Sequence, residues 1–206
     1  MMRSPFESAL TVKGPADGVA EGAAALQLAD LSRRSRFGCK GPGAGEWLAT
    51  AGFPVPHAPN SAVVDAGGIF VARLATSEFL VEALEDRGAA RVQSQWQLLS
   101  SSSCPSEVYP VVRQDGVVGV RGTGLQTLLR QICSVDFVPL LTAGGSDSGP
   151  IVLTSMVGVG VVAWPSIDRS GSTLTLWLDP SFAHYFWVTL LEVGRGVGIT
   201  VIGSDT

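Results

Sequence analysis

Few spacings in this 206-residue chain could support chemistry. Two glycine-rich stretches have the make-up of anion-binding loops: Gly41-Pro-Gly-Ala-Gly45 and Gly158-Val-Gly-Val-Val-Ala163. The second fits G-x-G-x-x-A, a pattern that binds dinucleotides only between a strand and a helix. Here it sits in an apolar run continuing to Trp164-Pro165, and the first stretch lacks the G-K-[ST] of a phosphate loop. Gly144 to Gly149 holds two serines without the G-x-S-x-G spacing of a nucleophile elbow. His57, between prolines, and His184, beside Tyr185 and Phe186, are the two histidines. Each reads as a hydrogen-bonded structural residue, with an interfacial contact as the functional alternative. Cys39, Cys104 and Cys133 are far apart, so zinc-type spacing is absent, and they read as small buried hydrophobes of a reducing compartment. The carboxylates are scattered; Asp115-Gly116 reads as a turn and Asp136 as a cap on backbone amides.

The elements that would position these residues show an internal echo. Gly38-Cys-Lys-Gly-Pro-Gly-Ala-Gly-Glu-Trp-Leu48 returns as Gly119-Val-Arg-Gly-Thr-Gly-Leu-Gln-Thr-Leu-Leu129, both reading G-x-[KR]-G-x-G-x-x-x-[WL]-L. Before each copy an alternating stretch (Phe37, Cys39; Val118, Val120) predicts a strand, and after each an apolar face (Trp47-Leu48; Leu128-Leu129) predicts a helix. Glycines between them allow a sharp turn through φ > 0. Hairpins are expected at Gly68–Leu74 with Phe79–Ala83, and at Val157–Trp164 with Leu174–Leu178 across Pro165 to Ser172. Asp179-Pro-Ser is expected to open a last helix that stops near Gly194. The expected fold class is α+β, two related strand-helix-hairpin half-modules with mostly antiparallel sheet and helices packed on it. The linear division is an extension over 1–32, with a short helix within Gly18–Leu31, a first half-module over 33–93, a serine-rich linker over 94–106 and a second half-module over 107–206.

Composition narrows the function classes. Hydrophobic residues make up 46% and charged residues 16%, against the roughly 25% charge of an ordinary soluble domain. The most apolar run, Ile151 to Ala163, falls short of the roughly 20 residues of a membrane-spanning helix, and the start has no continuous apolar signal region. The expectation is a cytoplasmic protein whose apolar surface is covered by a partner polypeptide. A net charge of -4 and only two lysines, Lys13 and Lys40, speak against nucleic acid. The one basic knot, Arg33, Arg34 and Arg36, reads as a solvated or partner-facing start to the first half-module. Trp47, Trp96, Trp164, Trp177 and Trp187 could stack a flat ligand such as a pterin, yet such aromatics are also what interfaces prefer. The interface residues expected are Trp164, Trp177, His184 and Trp187, with no catalytic, cofactor-binding or metal-binding residue assigned.

The stretch Arg36 to Leu48, the Val71-Ala-Arg-Leu hairpin to Phe79, Gln131-Ile-Cys-Ser-Val-Asp136 and Leu178-Asp-Pro-Ser-Phe-Ala-His-Tyr185, in this order, resemble the gamma subunit of heterotetrameric sarcosine oxidases. That family is related to the folate-binding module of the glycine cleavage T-protein. The resemblance implies a non-catalytic gamma subunit packed chiefly on an alpha subunit that carries FAD, NAD and a tetrahydrofolate domain. A beta subunit would carry FMN and a delta subunit zinc. The implied reaction is oxidative demethylation of sarcosine or a related secondary amine, with one-carbon transfer to tetrahydrofolate. The alternative is a stand-alone tetrahydrofolate-binding or aminomethyltransferase-like protein.

Overall fold

In the computed structural model, which describes residues 4–10, 25–101, 105–143, 147–168 and 171–202, the chain divides into two units. One is Arg34–Arg113 with Ser146–Ile151; the other is Met1–Arg33 with Gln114–Gly145 and Val152–Thr206. After β1 (Leu26–Asp30), which belongs to the second unit, the first unit runs β2 (Arg36–Lys40), α1 (Ala44–Thr50), β3 (Ser61–Val64), β4 (Ile69–Ala75), β5 (Glu78–Ala83), α2 (Asp86–Leu99) and β6 (Tyr109–Val111). A short segment, β8 (Ser148–Pro150), completes its sheet, in the order β6-β2-β5-β4-β3-β8 with neighbouring strands antiparallel. Alternation sends Phe37, Cys39, Val71, Phe79 and Val81 to one face, where they pack with Leu48 of α1 and Val92 of α2.

The second unit runs β1, β7 (Gly116–Arg121), α3 (Leu125–Ile132), α4 (Val138–Ala143), β9 (Val152–Met156), β10 (Val159–Asp168), β11 (Gly171–Leu178), α5 (Ala183–Gly194) and β12 (Ile199–Ile202), with sheet order β12-β1-β7-β11-β10-β9. The two sheets repeat one ladder. In each, the strand before the first helix pairs with the last strand of the hairpin, which pairs with its neighbour in turn: β2-β5-β4-β3 and β7-β11-β10-β9. The leading strands are exchanged along the chain: β1 precedes β2 but pairs with β7, and β6 precedes β7 but pairs with β2.

This exchange corrects the linear division. Residues 26–30 of the expected extension form a strand rather than part of a helix, and residues 94–99 of the expected linker belong to α2. The remaining helix expectation at Gly18 to Ala24, Ser102 to Cys104 of the serine run, and Gly144 to Ser146 lie outside the described residues. The start of the chain also joins the second core: Phe6 is buried and its ring lies 5.1 Å from that of Trp187.

The second hairpin is longer than its sequence suggests. Pro165, expected in the loop, lies within β10, because β9 ends opposite Ala163 and leaves Trp164 to Asp168 with β11 as their partner strand. A residue without an N–H is accommodated where a strand has one neighbour. Among the described residues, no helix is long and apolar enough to cross a membrane.

Asp179 caps the 3-10 turn Pro180–Phe182 that leads into α5, accepting hydrogen bonds from the Ser181 hydroxyl (2.6 Å) and amide (2.8 Å). These bonds favour the carboxylate and hold its pKa below the ordinary aspartate value, the side-chain bond first. A depressed folded pKa contributes stability that is present above the unfolded pKa and lost as pH falls through the folded one. An NMR titration of Asp179 is therefore expected to give a midpoint below that of an unstructured aspartate, and Asp179→Asn to remove this part of the acid sensitivity.

Candidate functional site

Each echo builds the same joint. Gly41 and Gly122 take φ of 121° and 127°, and the residues just ahead of the helices, Gly43 and Gly124, take φ/ψ of -84°/-5° and -81°/-2°. In the first, the Gly43 amide donates to the Glu107 carbonyl (3.2 Å); in the second, the Gly124 amide donates to that of Ala25 (2.9 Å). The Ala44 and Leu125 amides donate back to Gly41 and Gly122, both at 3.1 Å. Two amides at the start of each helix are thus already bonded to carbonyls, and the loops serve as joints between strand and helix. The other glycine pattern, at Gly158, is a hairpin turn: Val157 (φ 46°) and Gly158 (φ 81°) join β9 to β10, with no helix following.

The residues expected at an interface divide by burial. Trp164, Trp177 and Trp187 are 5%, 1% and 0% exposed, so their rings do not form an outward aromatic surface. Trp187 packs in the second unit's core with Phe186 and Leu190, while Trp164 and Trp177 lie on the opposite face of the sheet. His184 is exposed, its Nδ1 3.4 Å from the Ser8 hydroxyl, and is flanked by exposed Phe182 and Tyr185. The basic knot, expected to be solvated or partner-facing, divides: Arg33 is exposed, while Arg34 and Arg36 turn to a buried carboxylate. Arg36, opposite Glu82 in the β2-β5 register, places Nε 3.0 Å from the fully buried Glu82 carboxylate, and Arg34 approaches it to 3.4 Å. Sequence distance concealed this pairing. His57 is exposed, and Cys39 is buried.

Sequence reasoning missed a recess in the second unit. Arg130, Cys133 and Asp136 border about 390 Å³ of open space whose lining also includes Leu129, Phe137 and Val138. Asp136 accepts the Val138 amide at 3.0 Å, which fixes the start of α4 as expected of a capping residue. Cys133 Sγ accepts the Val135 amide at 3.4 Å and lies 3.7 Å from Thr154 Oγ1 on β9. The α3 terminus is tied to the β9-β10 turn, since the Val157 amide donates to the Ile132 carbonyl (2.9 Å) and the Tyr185 hydroxyl to the Val157 carbonyl (3.0 Å). These bonds explain how a β-branched residue holds a positive φ. Walls of mixed character, with Leu129, Val135, Phe137 and Val138 beside Gln126, Ser134, Arg130 and the capping carboxylate of Asp136, suit the reception of a side chain; no histidine lines the recess, and no group of three metal-ligating side chains occurs among the described residues. No spacing in the sequence signals it, because the lining is made by the end of α3, the start of α4 and the segment between them.

The fold is shared with a chain of the heterotetrameric sarcosine oxidase from Corynebacterium sp. U-96, solved in complex with pyrrole 2-carboxylate. The likeness covers 96% of this chain and 96% of that one at a TM-score of 0.71 and 23% identity. A second structural neighbour is the glycine cleavage system aminomethyltransferase T from Bartonella henselae, with a TM-score of 0.61 and 15% identity over 88% of this chain and 48% of that one. The chain thus spans about half the length of the aminomethyltransferase. No family model matches the chain, and no curated protein matches it in sequence.

Proposed function

We propose that this chain is a structural, non-catalytic subunit of a sarcosine oxidase-type complex, in the place of the gamma subunit. The observation that carries the reading is the likeness to a chain of matching length in a heterotetrameric oxidase, end to end, where the aminomethyltransferase is about twice as long. In this reading alpha, beta and delta subunits hold FAD, NAD, FMN, zinc and tetrahydrofolate, and the complex oxidises sarcosine or a related secondary amine in the cytoplasm.

The state of the carboxylates supports a scaffold over the alternative, a stand-alone folate-binding protein. A pterin bound by this chain would need a buried carboxylate free to accept its ring N–H groups. Among the described residues the carboxylates of buried residues are those of Asp30 and Glu82, and Asp115 is half-buried with Oδ2 turned inward. Asp30 accepts from the Ser4 hydroxyl and the Ser32 amide, and Glu82 is paired with Arg34 and Arg36. The commitment of Asp30 and Glu82 to partners within the chain favours the scaffold reading.

Co-expression with the flavin-carrying subunits of such an oxidase tests the reading. The chain is expected to co-elute with them and to raise the yield and thermal stability of the complex, as any ligand of the native state does. Isolated chain titrated with tetrahydrofolate in a calorimeter is expected to give no binding heat. A well-behaved monomer that binds folate and ignores the other subunits would reverse the assignment.

A further inference from the structure

The duplication makes the two sheets comparable strand by strand, and they differ at both edges: the second alone has a strand, β12, beyond its leading strand β1, and the first alone has one, β8, beyond β3. In the first unit, β3 is covered by β8, three residues that pair antiparallel with it through Val63 opposite Ser148 and Ser61 opposite Pro150. The corresponding strand of the second unit, β9, ends its sheet with no strand beyond it among the described residues. Edge strands of natural proteins are guarded by charge, proline or bulges. β6 and β8 contain Pro110 and Pro150, whereas Val152–Met156, like the four-residue β12, has neither proline nor charge, and its register with β10 is unbroken.

Hairpin geometry gives the outward groups. Met156 and Val159 flank a two-residue turn and form a hydrogen-bonded pair, so the alternation turns the N–H and C=O of Leu153 and Ser155 away from β10. Both residues are exposed, Leu153 at 56%. Beside this edge opens the recess described above, joined to it where Cys133 Sγ meets Thr154 Oγ1. An open edge next to a recess is the arrangement that binds an extended peptide: backbone bonds supply affinity, and the recess selects a side chain.

We propose that β9 receives an antiparallel extended segment from another subunit, doing for the second unit what β8 does for the first and placing a side chain in the recess beside Arg130. A second copy of this chain is a poorer occupant. The helix-side residues of its own β9, Val152 and Met156, already pack in its core and have no free side chain to offer. The proposal rests on the subunit reading above.

Ser155→Pro tests it, because that substitution deletes an outward donor and leaves the β9-β10 ladder intact. Leu153→Lys guards the same edge at an exposed position without altering the backbone. Both variants are expected to fold like the wild type and to lose at least tenfold in affinity for the co-expressed oxidase subunits. In the wild-type complex, hydrogen exchange at the Leu153 and Ser155 amides is expected to slow at least tenfold relative to the free chain. Variants that assemble like the wild type, with no added protection at these amides, would overturn the edge assignment alone. Failure of the wild-type chain to co-elute would overturn the subunit reading and this inference with it. Isolated chain of twice the monomer mass by light scattering, returned to monomer by Ser155→Pro, would replace the partner with a second copy.

Discussion

Gly122→Ala is expected to destabilise the protein by about 2–5 kcal/mol in urea unfolding, the sum of backbone strain and overpacking. Two independent features combine there. A φ of 127° lies where side chains are rarely found, and an added Cβ would sit 2.2 Å from the Ala25 carbonyl oxygen. Neither can relax cheaply, because Ala25 leads directly into β1 and its carbonyl also accepts the Gly124 amide that starts α3. Its twin, Gly41→Ala, meets the Glu107 carbonyl at the same 2.2 Å and is expected to cost about as much. Gly160→Ala is the control: a Cβ there meets nothing within 4 Å, and the change is expected to stay within about 0.5 kcal/mol of wild type. If Gly122→Ala were as mild as Gly160→Ala, the glycine would not be required by the carbonyl behind it, and the joint would need another explanation.

That joint was the most legible part of the chain, because its requirement is local. Two glycines between an alternating strand and an apolar helix face announce a sharp turn whatever lies elsewhere, and both copies adopt it. The partner of each joint was not legible. Nothing around Ala25 indicates that its carbonyl serves Gly124, 99 positions away, or that β1 skips its neighbour β2 to pair with β7. Strand pairing is a non-local property, and the alternation that identifies a strand is silent about its neighbour. The linear division into extension, modules and linker failed at the exchanged strand for that reason.

The candidate surface was read less well. Trp164, Trp177 and Trp187 are the residue type an interface favours, but type does not reveal which face of a strand or helix is turned to water. Once β10 and β11 are in register, Trp164 opposes Thr175 and Trp177 opposes Val162, placing both rings on one buried sheet face. The more informative absence was of charge along Val152–Met156, visible in the sequence but meaningful only once that segment is known to end a sheet. Arg34 and Arg36 illustrate the converse. A basic cluster looks solvated until the strand opposite supplies its counter-charge.

That counter-charge carries the other large expected effect. Glu82→Leu should destabilise the protein by about 3–5 kcal/mol, the range for removing one partner of a buried ion pair. The loss arises mainly from the arginine left behind, since the Arg36 side chain is 3% exposed and stands opposite position 82. Arg34, 27% exposed, can turn to water and adds less. This argument separates the cost of an orphaned charge from the value of the pair. Replacing both partners with leucine is expected to restore all but about 1–2 kcal/mol, because buried pairs contribute little beyond well-packed apolar residues. The exposed pair Arg87–Glu85, at 59% on both sides, serves as the reference, and its loss should fall within about 1 kcal/mol. A single variant no worse than the loss of Glu85 would show that Arg36 finds water, and a double variant as unstable as the single would show that the pair stabilises in its own right. Should the double variant recover, the pair's contribution is register: a slip of one residue between β2 and β5 turns Glu82 away from Arg36 and moves Phe37 and Cys39 out of the core, so both errors penalise the same misalignment.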